Sequence, residues 1–287
     1  MNVLIIYNPN STGDGEANAK NLARTLRDGG LEVTLRKTTH AGHGEEIAES
    51  YSKKDENIVL ISSSGDGGYH EVVNGALKYK TKNLVVGVLP SGNANDHFSA
   101  LGSDSLAQSI LRKDYHNIDT IKVTATIDGA PWTQFAHSYV GMGVTATAAK
   151  SLTEDRPNVF TEKWIVARAL LSFRYVKIKE NGKVRHYSSI LFGNIDKMSK
   201  VLKLSEDSSV TDGKFEKTSI RFRSKFRLVV YLLTAATVGL KRAESLASYE
   251  CVAVGPVPMQ LDGEVYTIDA GSKITVESIK RNLRCVL

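Results

Sequence analysis

The sequence of 287 residues contains only two cysteines and no apolar run long enough to cross a bilayer. Cys251 and Cys285 have no metal-ligand spacing, and so few thiols favour a reduced cytoplasmic protein over a disulfide scaffold. The longest uncharged apolar stretch, residues 228–240, falls short of the ~20 residues of a membrane span. The sequence opens on an apolar strand without a basic leader, so we expect no signal peptide. These absences favour a protein that is soluble or attached to a membrane at its periphery.

The net charge of +6 is a mild excess of basic residues. It weakly favours anionic partners such as nucleotides or phospholipid surfaces. We expect no nucleic acid partner.

Residues 214–227 hold six basic side chains against one acid, Glu216, and lead into the apolar stretch 228–240. This combination is typical of docking on an anionic bilayer. The alternative is a solvated strand face followed by a core helix or a homodimer interface. The basic residues are Lys214, Lys217, Arg221, Arg223, Lys225 and Arg227.

The first third of the chain alternates between strand and helix patterns. Predicted strands cover residues 3–7, 31–36, 57–62 and 84–89, and predicted helices cover 16–27, 45–52, 69–77, 95–101 and 105–112. This order predicts an α/β domain with a parallel sheet. Polar, glycine-rich segments follow the strands at 8–15, 38–44, 62–68 and 90–96. Because ligands bind at the carboxyl ends of such strands, we expect these segments to line one edge together.

The pattern changes near Ile118 and becomes rich in β-strands. Predicted strands cover residues 121–127, 134–140, 188–193, 218–222, 249–254 and 273–277, and predicted helices cover 161–176 and 225–240. Turn signals such as Asp128-Gly129, Asn181-Gly182 and Asp262-Gly263 separate several strands. We therefore predict two domains. The first is the α/β domain 1–120, on which residues 279–287 pack back, and the second is a mostly antiparallel β-sandwich over 121–278.

The segment Ser64-Gly65-Asp66-Gly67-Gly68 lies between a predicted strand and a predicted helix. Glycines let the backbone approach a ligand closely, and the following helix N-terminus favours an anion, so the segment is typical of a phosphate site. Asp66 would repel phosphate unless a cation or a donor proton lies between them. A tight turn without a ligand is the alternative interpretation.

A second segment of this kind is Leu89-Pro90-Ser91-Gly92-Asn93-Ala94-Asn95-Asp96. Either Asn95 or Asp96 could be a plain helix N-cap. The segment nevertheless holds more polar groups than one cap requires. As a second loop at the nucleotide edge it would place Asp96 near Asp66.

Together the two segments resemble the diacylglycerol kinase catalytic-domain family, which includes bacterial lipid kinases and sphingosine kinases. The family pattern Gly-Gly-Asp-Gly-Thr, two residues, Glu-Val-Val-Asn-Gly compares with Ser64-Gly65-Asp66-Gly67-Gly68-Tyr69-His70-Glu71-Val72-Val73-Asn74-Gly75. The pattern Pro-x-Gly-Thr-x-Asn-Asp-Phe compares with Pro90-Ser91-Gly92-Asn93-Ala94-Asn95-Asp96-His97-Phe98. The resemblance implies a two-domain fold like that of NAD kinase, with ATP on the α/β domain and a lipid hydroxyl presented by the β domain.

The resemblance also implies the residues of the nucleotide and metal sites. Asn8-Pro9-Asn10-Ser11 resembles a nucleotide-edge loop, and Thr39 lies in a further loop of that kind. A catalytic Mg²⁺ would be held by Asp66, Asp96 and Asp119, partly through water, which Mg²⁺ gives up reluctantly. Asp66 would also count as catalytic. The implied nucleotide-binding residues are Asn8, Pro9, Ser11, Thr39, Ser64, Gly65, Gly67, Gly68, Glu71, Ser91, Gly92 and Asn95.

Two segments of the β domain extend the resemblance. In Leu261-Asp262-Gly263-Glu264 the family's glutamate is the general base for the lipid hydroxyl, which implies this role for Glu264. The alternative is an ordinary hairpin turn with an exposed acid. Thr211-Asp212-Gly213-Lys214-Phe215 resembles a family segment that holds a structural Mg²⁺, although only Asp212 of its two acids is present. A simple Asp-Gly turn is the alternative there.

The first segment departs from the family pattern at three positions. Ser64 stands where the family has glycine, Gly68 where it has a threonine that helps to bind phosphate, and His70 where it has asparagine. The leading prediction is an ATP- and Mg²⁺-dependent lipid kinase, acting on diacylglycerol or a related lipid at a membrane surface. The alternatives are a soluble small-molecule kinase of the NAD kinase type and a catalytically impaired relative that binds nucleotide or lipid.

Overall fold

The computed structural model describes residues 2–9, 11, 13–55, 57–79, 81, 83–92, 95–101, 105–147, 175–195, 197–198, 202–203, 209–221 and 243–286. The predicted helix 225–240 and nearly all of the predicted helix 161–176 lie outside these residues. Val176 is described, and it begins a strand instead of ending a helix. The chain divides into two compact units, Met1–Thr120 with Lys280–Leu287, and Ile121–Ile279.

The first unit alternates strands and helices as expected. Its elements are β1 (Asn2–Tyr7), α1 (Gly15–Asp28), β2 (Glu32–Lys37), α2 (His43–Ser52), β3 (Ile58–Ser64), α3 (Asp66–Leu77), β4 (Leu84–Pro90), α4 (Asp96–Leu101) and α5 (Leu106–Arg112). The sheet order is β2-β1-β3-β4, and all of these pairs are parallel. Cys285, near the end of the chain, pairs in parallel with Val86 of β4. The predicted α/β domain with a parallel sheet is confirmed.

Burial explains why these segments adopt their structures. Every residue of β3 is buried, as expected of a central parallel strand with both faces covered. Helix α1 is amphipathic and buries Ala19, Leu22, Ala23 and Leu26 on one face. Gly30, with a φ of +82°, follows this helix, and its N–H bonds to the carbonyl of Arg27.

The strand register brings the polar segments to one edge of the sheet. Tyr7 at the end of β1 lies opposite Ser63, and Ser64 at the end of β3 lies opposite Pro90 at the end of β4. The segments that follow these three strands therefore begin at the same level. This confirms that they line one edge together.

The described part of the second unit consists mainly of antiparallel strands. The strands are β5 (His116–Ile127), β6 (Ala130–Ala136), β7 (Tyr139–Gly143), β8 (Val176–Glu180), β9 (Lys183–Tyr187), β10 (Ser189–Gly193), β11 (Lys197–Met198), β12 (Leu202–Lys203), β13 (Phe215–Ile220), β14 (Glu244–Leu246), β15 (Ser248–Ala253), β16 (Val257–Leu261), β17 (Glu264–Ile268) and β18 (Lys273–Cys285). The chain passes between the units within β5 and within β18.

Two sheets pack face to face in this unit. One has the order β14-β13-β10-β7-β16-β17, and the other contains β18-β15-β8-β9 with the hairpin β5–β6. One buried core joins them, with Val140, Met142 and Met259 from the first sheet and Ile178 and Ile274 from the second. The predicted antiparallel β-sandwich is therefore confirmed.

Several observed strands differ from the predicted ones, since β5 begins at His116, β18 continues to Cys285, and β11, β12 and β14 were not predicted. The predicted strand 134–140 is divided, because β6 ends at Ala136 and β7 begins at Tyr139. The hairpins β8–β9 and β16–β17 were not predicted as strands, although their turns were recognised.

Within the described part of the chain, the structure contains no helix that could span a membrane.

Candidate active site

The two glycine-rich segments of the first unit touch through their backbones. A Cβ on Gly92 would lie 2.4 Å from the Cα of Gly65, and a Cβ on Gly65 would lie 3.2 Å from the Cα of Gly92. The backbone N–H of Ser91 donates to the carbonyl of Ser64 at 3.0 Å. Glycine is therefore required at residue 92 by close approach, and the two segments form one surface.

The segment after β1 joins the same surface. The N–H of Gly13 donates to the carbonyl of Ser91 at 3.1 Å, and the hydroxyl of Ser11 donates to that carbonyl as well. Asn18 on α1 supports both segments, because its amide donates to the carbonyl of Gly13 at 2.9 Å and to the Ser91 hydroxyl at 3.1 Å. Asn8 and Pro9 are exposed at the end of β1. The edge residues Asn8, Pro9, Ser11, Ser91 and Gly92 thus belong to one neighbourhood.

Asp66 lies in the first turn of a helix, where the sequence predicted a loop. Strand β3 continues to Ser64 and helix α3 starts at Asp66, so only Gly65 connects them. The N–H groups of Gly67 and Gly68 thus belong to a helix first turn, where no partner exists within the helix. Donors of this kind, together with the helix dipole, form a surface suited to an anion.

The carboxylate of Asp66 binds the start of the neighbouring helix. Its two oxygens accept the N–H groups of Asp96 at 3.2 Å and of His97 at 3.5 Å. The expected proximity of Asp66 and Asp96 is therefore confirmed. Asp66 is half-buried, and Asp96 is 3% exposed.

Asn95 closes its own loop instead of capping α4. Its side chain accepts the N–H of Gly92 at 3.1 Å and donates to the carbonyl of Gly92 at 2.7 Å. It adopts a φ of +51°, a conformation that asparagine tolerates better than most residues. The capping role that the sequence offered to Asn95 or Asp96 is taken by Asp66.

Glu71 and Thr39 lie where the loop after β2 meets α2. The two oxygens of Glu71 accept the N–H groups of Gly42 at 2.7 Å and Gly44 at 2.9 Å, at the N-terminus of α2. The hydroxyl of Thr39 lies 3.0 Å from Nδ1 of His43. Glu71 is thereby committed to stabilising α2, and its contact with a nucleotide stays a prediction.

Asp119 is held from the end of the chain. It is fully buried in β5, and its carboxylate accepts the N–H of Arg281 at 2.7 Å. Asp66, Asp96 and Asp119 all belong to the first unit. Among the described residues no group of three or more His, Cys, Asp or Glu side chains is arranged to bind a metal directly. Mg²⁺ usually takes only one or two carboxylates together with phosphate oxygens and water, so its binding by Asp66, Asp96 and Asp119 stays a prediction.

In the second unit, the Asp-Gly-Glu turn is an unusually fixed hairpin. Asp262 and Gly263 have φ angles of +51° and +99° between β16 and β17. The carboxylate of Asp262 is 1% exposed and accepts the N–H groups of His137 and Ser138 at 2.9 Å and of Tyr139 at 3.0 Å. These bonds explain why the chain leaves the strand pattern at residues 137–138.

Further contacts fix the same hairpin and leave Glu264 at its surface. Nε2 of His137 lies 3.4 Å from the carboxylate of Asp262, and the N–H of Gly263 donates to the side chain of Gln260 at 2.9 Å. Glu264, the first residue of β17, is exposed. The segment is therefore a hairpin with an exposed acid, Glu264, as the alternative interpretation expected. Its other acid, Asp262, is buried and bound by three backbone N–H groups, which an ordinary turn does not require.

Asp212 has the geometry of a simple Asp-Gly turn. It is exposed, Gly213 has a φ of +81°, and the Asp212 carboxylate accepts the N–H of Lys214 at 2.9 Å. These contacts match the alternative interpretation of this segment as a simple turn, and the structural Mg²⁺ at Asp212 stays a prediction.

The described part of the basic stretch is largely engaged within the second unit. Lys217 is 9% exposed, pairs with Glu244 at 3.2 Å and lies over the ring of Tyr249. Arg221 lies over the ring of Tyr187, whose hydroxyl donates to Glu180, and Arg221 itself is 3.4 Å from Glu180. The basic residues beyond Arg221, and the apolar stretch 228–240, lie outside the described residues.

The sequence-based prediction did not include the residues that hold the site in place. Asn18 and Asp262 were not predicted. Ser63 was predicted only as part of the polar segment 62–68, whereas it lies in β3 and its hydroxyl donates to the carbonyl of Gly15 at 2.7 Å. The role of Asp262 depends on contacts with residues more than 120 positions away, so no local pattern could reveal it.

Part of the chain is similar in sequence to known diacylglycerol kinases. Residues 2–123 match the model of the family described as "Diacylglycerol kinase catalytic domain". The chain is 36% identical to a diacylglycerol kinase of Bacillus subtilis (strain 168) over 101 residues, which are 34% of this chain and 32% of that protein. It is 26% identical to a diacylglycerol kinase of Staphylococcus carnosus (strain TM300) over 275 residues, 91% of this chain and 87% of that protein. The first of these matches spans about a third of the relative.

Solved structures share the fold at low sequence identity. A diacylglycerol kinase from Bacillus anthracis superposes with a TM-score of 0.72 at 16% identity, covering 99% of this chain and 96% of the other. A yeast NADH kinase in complex with NADH superposes with a TM-score of 0.52 at 12% identity, covering 100% of this chain and 83% of the other. These likenesses show the fold, which is that of diacylglycerol kinases and NAD kinases.

Proposed function

We propose that this protein transfers the γ-phosphoryl group of ATP to a lipid hydroxyl, because residues 2–123 match the model of the diacylglycerol kinase catalytic domain. Diacylglycerol or a related lipid is the proposed acceptor. The observation that carries the proposal is the single surface on which Gly65 touches Gly92 and Asp66 binds the N–H of Asp96. Both segments of the family pattern contribute to that surface.

The first unit is the proposed nucleotide-binding unit. The N–H groups in the first turn of α3, at Gly67 and Gly68, would bind phosphate oxygens. The neighbouring segments would contact the rest of ATP. Their residues are Asn8, Pro9, Ser11, Thr39, Ser64, Gly65, Glu71, Ser91, Gly92 and Asn95.

Asp66, Asp96 and Asp119 would hold a catalytic Mg²⁺, partly through water. Such an ion neutralises charge on the phosphoryl oxygens as they are transferred. The two oxygens of Asp66 accept the N–H groups of Asp96 and His97, so α4 fixes the orientation of this carboxylate.

Glu264 is the proposed general base, and the second unit is the proposed lipid-binding unit. Phosphoryl transfer requires a carboxylate near the attacking hydroxyl to accept its proton. Glu264 is exposed on a hairpin whose other acid, Asp262, is bound by three backbone N–H groups. Asp262 would therefore act as a positioning residue for Glu264. We place the reaction at the surface of a cytoplasmic, anionic membrane, where the acceptor lipid resides.

A phosphotransfer assay with labelled ATP and a panel of acceptors tests this function. The panel contains diacylglycerol and other hydroxyl-bearing lipids in mixed micelles, with NADH, NAD and sugar phosphates as soluble acceptors, each with and without Mg²⁺. Label on a lipid only, and only with Mg²⁺, is the expected result. Label on NADH or NAD would instead favour the second candidate function, which the fold shared with yeast NADH kinase suggests. No label on any acceptor would exclude both activities.

A further inference from the structure

The side chain of Ser64 occupies the space that a side chain on residue 68 would need. A Cβ on Gly68 would lie 2.4 Å from the hydroxyl oxygen of Ser64 and 2.7 Å from its Cβ. Rotation of the serine could move its hydroxyl but not its Cβ. A side chain at one of these two positions therefore excludes a side chain at the other.

Apart from Ser64, little prevents residue 68 from carrying a side chain. Gly68 lies in helix α3 and does not have a positive φ, so its backbone suits any L-residue. Apart from Ser64, the nearest atom to a Cβ at this position is the Ser62 hydroxyl, at 3.8 Å, which is an ordinary contact. The glycine at 68 is thus explained by the serine at 64.

The departures at residues 64 and 68 are consequently linked, because the side chain missing at residue 68 is replaced by one at residue 64. The pattern has glycine and threonine at these positions, and this chain has serine and glycine. We propose that Ser64 supplies to the bound nucleotide's phosphates the hydroxyl that the pattern supplies from residue 68. This rests on the proposed function, since it concerns the same phosphate surface.

The surroundings of Ser64 suit this role. Its hydroxyl is 2.7 Å from that of Ser62 and 3.0 Å from the carbonyl of Gly65, so it lies at the junction of β3 and α3. By donating to Ser64, the Ser62 hydroxyl leaves the Ser64 proton available to turn from the Gly65 carbonyl to a phosphate oxygen. His70, the third departure, is a buried side chain of α3. It is 2% exposed, and its Nε2 lies 3.2 Å from the side-chain amide of Asn74 on the same helix.

Four variants test the exchange, Ser64→Ala, Ser64→Gly, Gly68→Thr and the double Ser64→Gly/Gly68→Thr. Binding of ATP with Mg²⁺ is measured by calorimetry, and thermal unfolding is followed in parallel. Ser64→Ala should lower the unfolding temperature only slightly, through loss of the hydrogen bonds to Ser62 and to the Gly65 carbonyl. It should lose about tenfold to a hundredfold in ATP affinity, as expected for a hydrogen bond to a charged group. Ser64→Gly should lose a similar affinity. Gly68→Thr should unfold at a lower temperature and bind ATP poorly.

The double variant gives the decisive result. Ser64→Gly/Gly68→Thr should recover both the unfolding temperature and the ATP affinity, to within about threefold of wild type. Wild-type affinity in Ser64→Ala, or a double variant no better than Gly68→Thr, would overturn the exchange. If the wild-type protein binds ATP but labels no lipid, the proposed acceptor fails and the exchange is still decided by binding. If the wild type binds no ATP, both fail.

Discussion

The carboxylate of Asp66 accepts the backbone N–H of Asp96 at 3.2 Å, so the first residue of α3 stabilises the first residue of α4. This contact joins the two segments that carry the family pattern. It also gives Asp66 a structural function beside its proposed catalytic one. The two functions can be separated because asparagine retains an oxygen that accepts an N–H but lacks the negative charge.

Replacement of Asp66 should therefore separate stability from activity. Asp66→Ala leaves the N–H groups of Asp96 and His97 without this acceptor and should lower the free energy of unfolding by about 1–3 kcal/mol. Asp66→Asn should lose less than half as much stability, yet phosphotransfer should fall at least about a hundredfold. Urea unfolding and the labelled-ATP assay measure the two effects. Equal activity in wild type and Asp66→Asn would show that the charge is not used.

The contact between Gly65 and Gly92 predicts intolerance of any side chain at residue 92. Gly92→Ala places a Cβ 2.4 Å from the Cα of Gly65, so the two segments must separate. ATP affinity should fall at least about tenfold and stability by about 1–3 kcal/mol, the usual cost of overpacking. Gly255→Ala is the matched control, because a Cβ there meets nothing within 4 Å and its φ is not positive. Similar behaviour of the two variants would refute the close approach as the cause.

Alanine substitution should destabilise the protein much more at Asp262 than at Asp128, although both residues begin an Asp-Gly turn. Asp262→Ala removes a buried acceptor of three N–H groups and should cost about 3 kcal/mol or more in the free energy of unfolding. Asp128 occupies the corresponding position of another Asp-Gly hairpin, with the same φ of +51°, but is exposed. Asp128→Ala should therefore change stability by less than about 1 kcal/mol. Equal losses in the two variants would mean that turn conformation, not the buried carboxylate, explains the effect.

Much of the fold follows from patterns that are local in sequence. The alternation of β-branched runs with amphipathic helices predicted the parallel sheet, and the position of polar segments after the strands predicted their common edge. The start of α3 was placed three residues too late because Gly67 and Gly68 are poor helix formers. Glycine is nevertheless required at residue 68, since a Cβ there would lie 2.4 Å from the hydroxyl oxygen of Ser64.

The residues that fix the site were less accessible to prediction than the residues that form it. Asp66, Asp96 and Glu264 were identified through motifs, whereas Asn18 and Asp262 act through partners that are distant in sequence. The hairpin β8–β9 was overlooked because its lysines and arginine mask an alternation of buried Val176, Ile178 and Glu180. Burial of Glu180 depends on hydrogen bonds from the tyrosines of β9 and β15, which no local pattern reveals.

The two cysteines should be unreactive in the folded protein. Cys251 and Cys285 are both buried, and neither forms a disulfide. Burial raises the pKa of each thiol to about 12. Because these pKa values exceed those of the unfolded chain, the associated stability is complete below pH ~9 and is lost as pH rises toward about 12. A disulfide-exchange reagent at pH 8 should modify neither thiol before unfolding and both in urea. Rapid modification of the native protein would contradict this burial.

The central claim is that Glu264 accepts the proton of a lipid hydroxyl during phosphoryl transfer from ATP. The most direct measurement is transfer of label from γ-labelled ATP to diacylglycerol in mixed micelles with Mg²⁺, for wild type and Glu264→Gln. The account predicts labelled lipid with wild type and a fall in kcat of at least about a hundredfold in Glu264→Gln, with ATP affinity and unfolding unchanged. Equal turnover in the two proteins, or no labelled lipid with wild type, would contradict it.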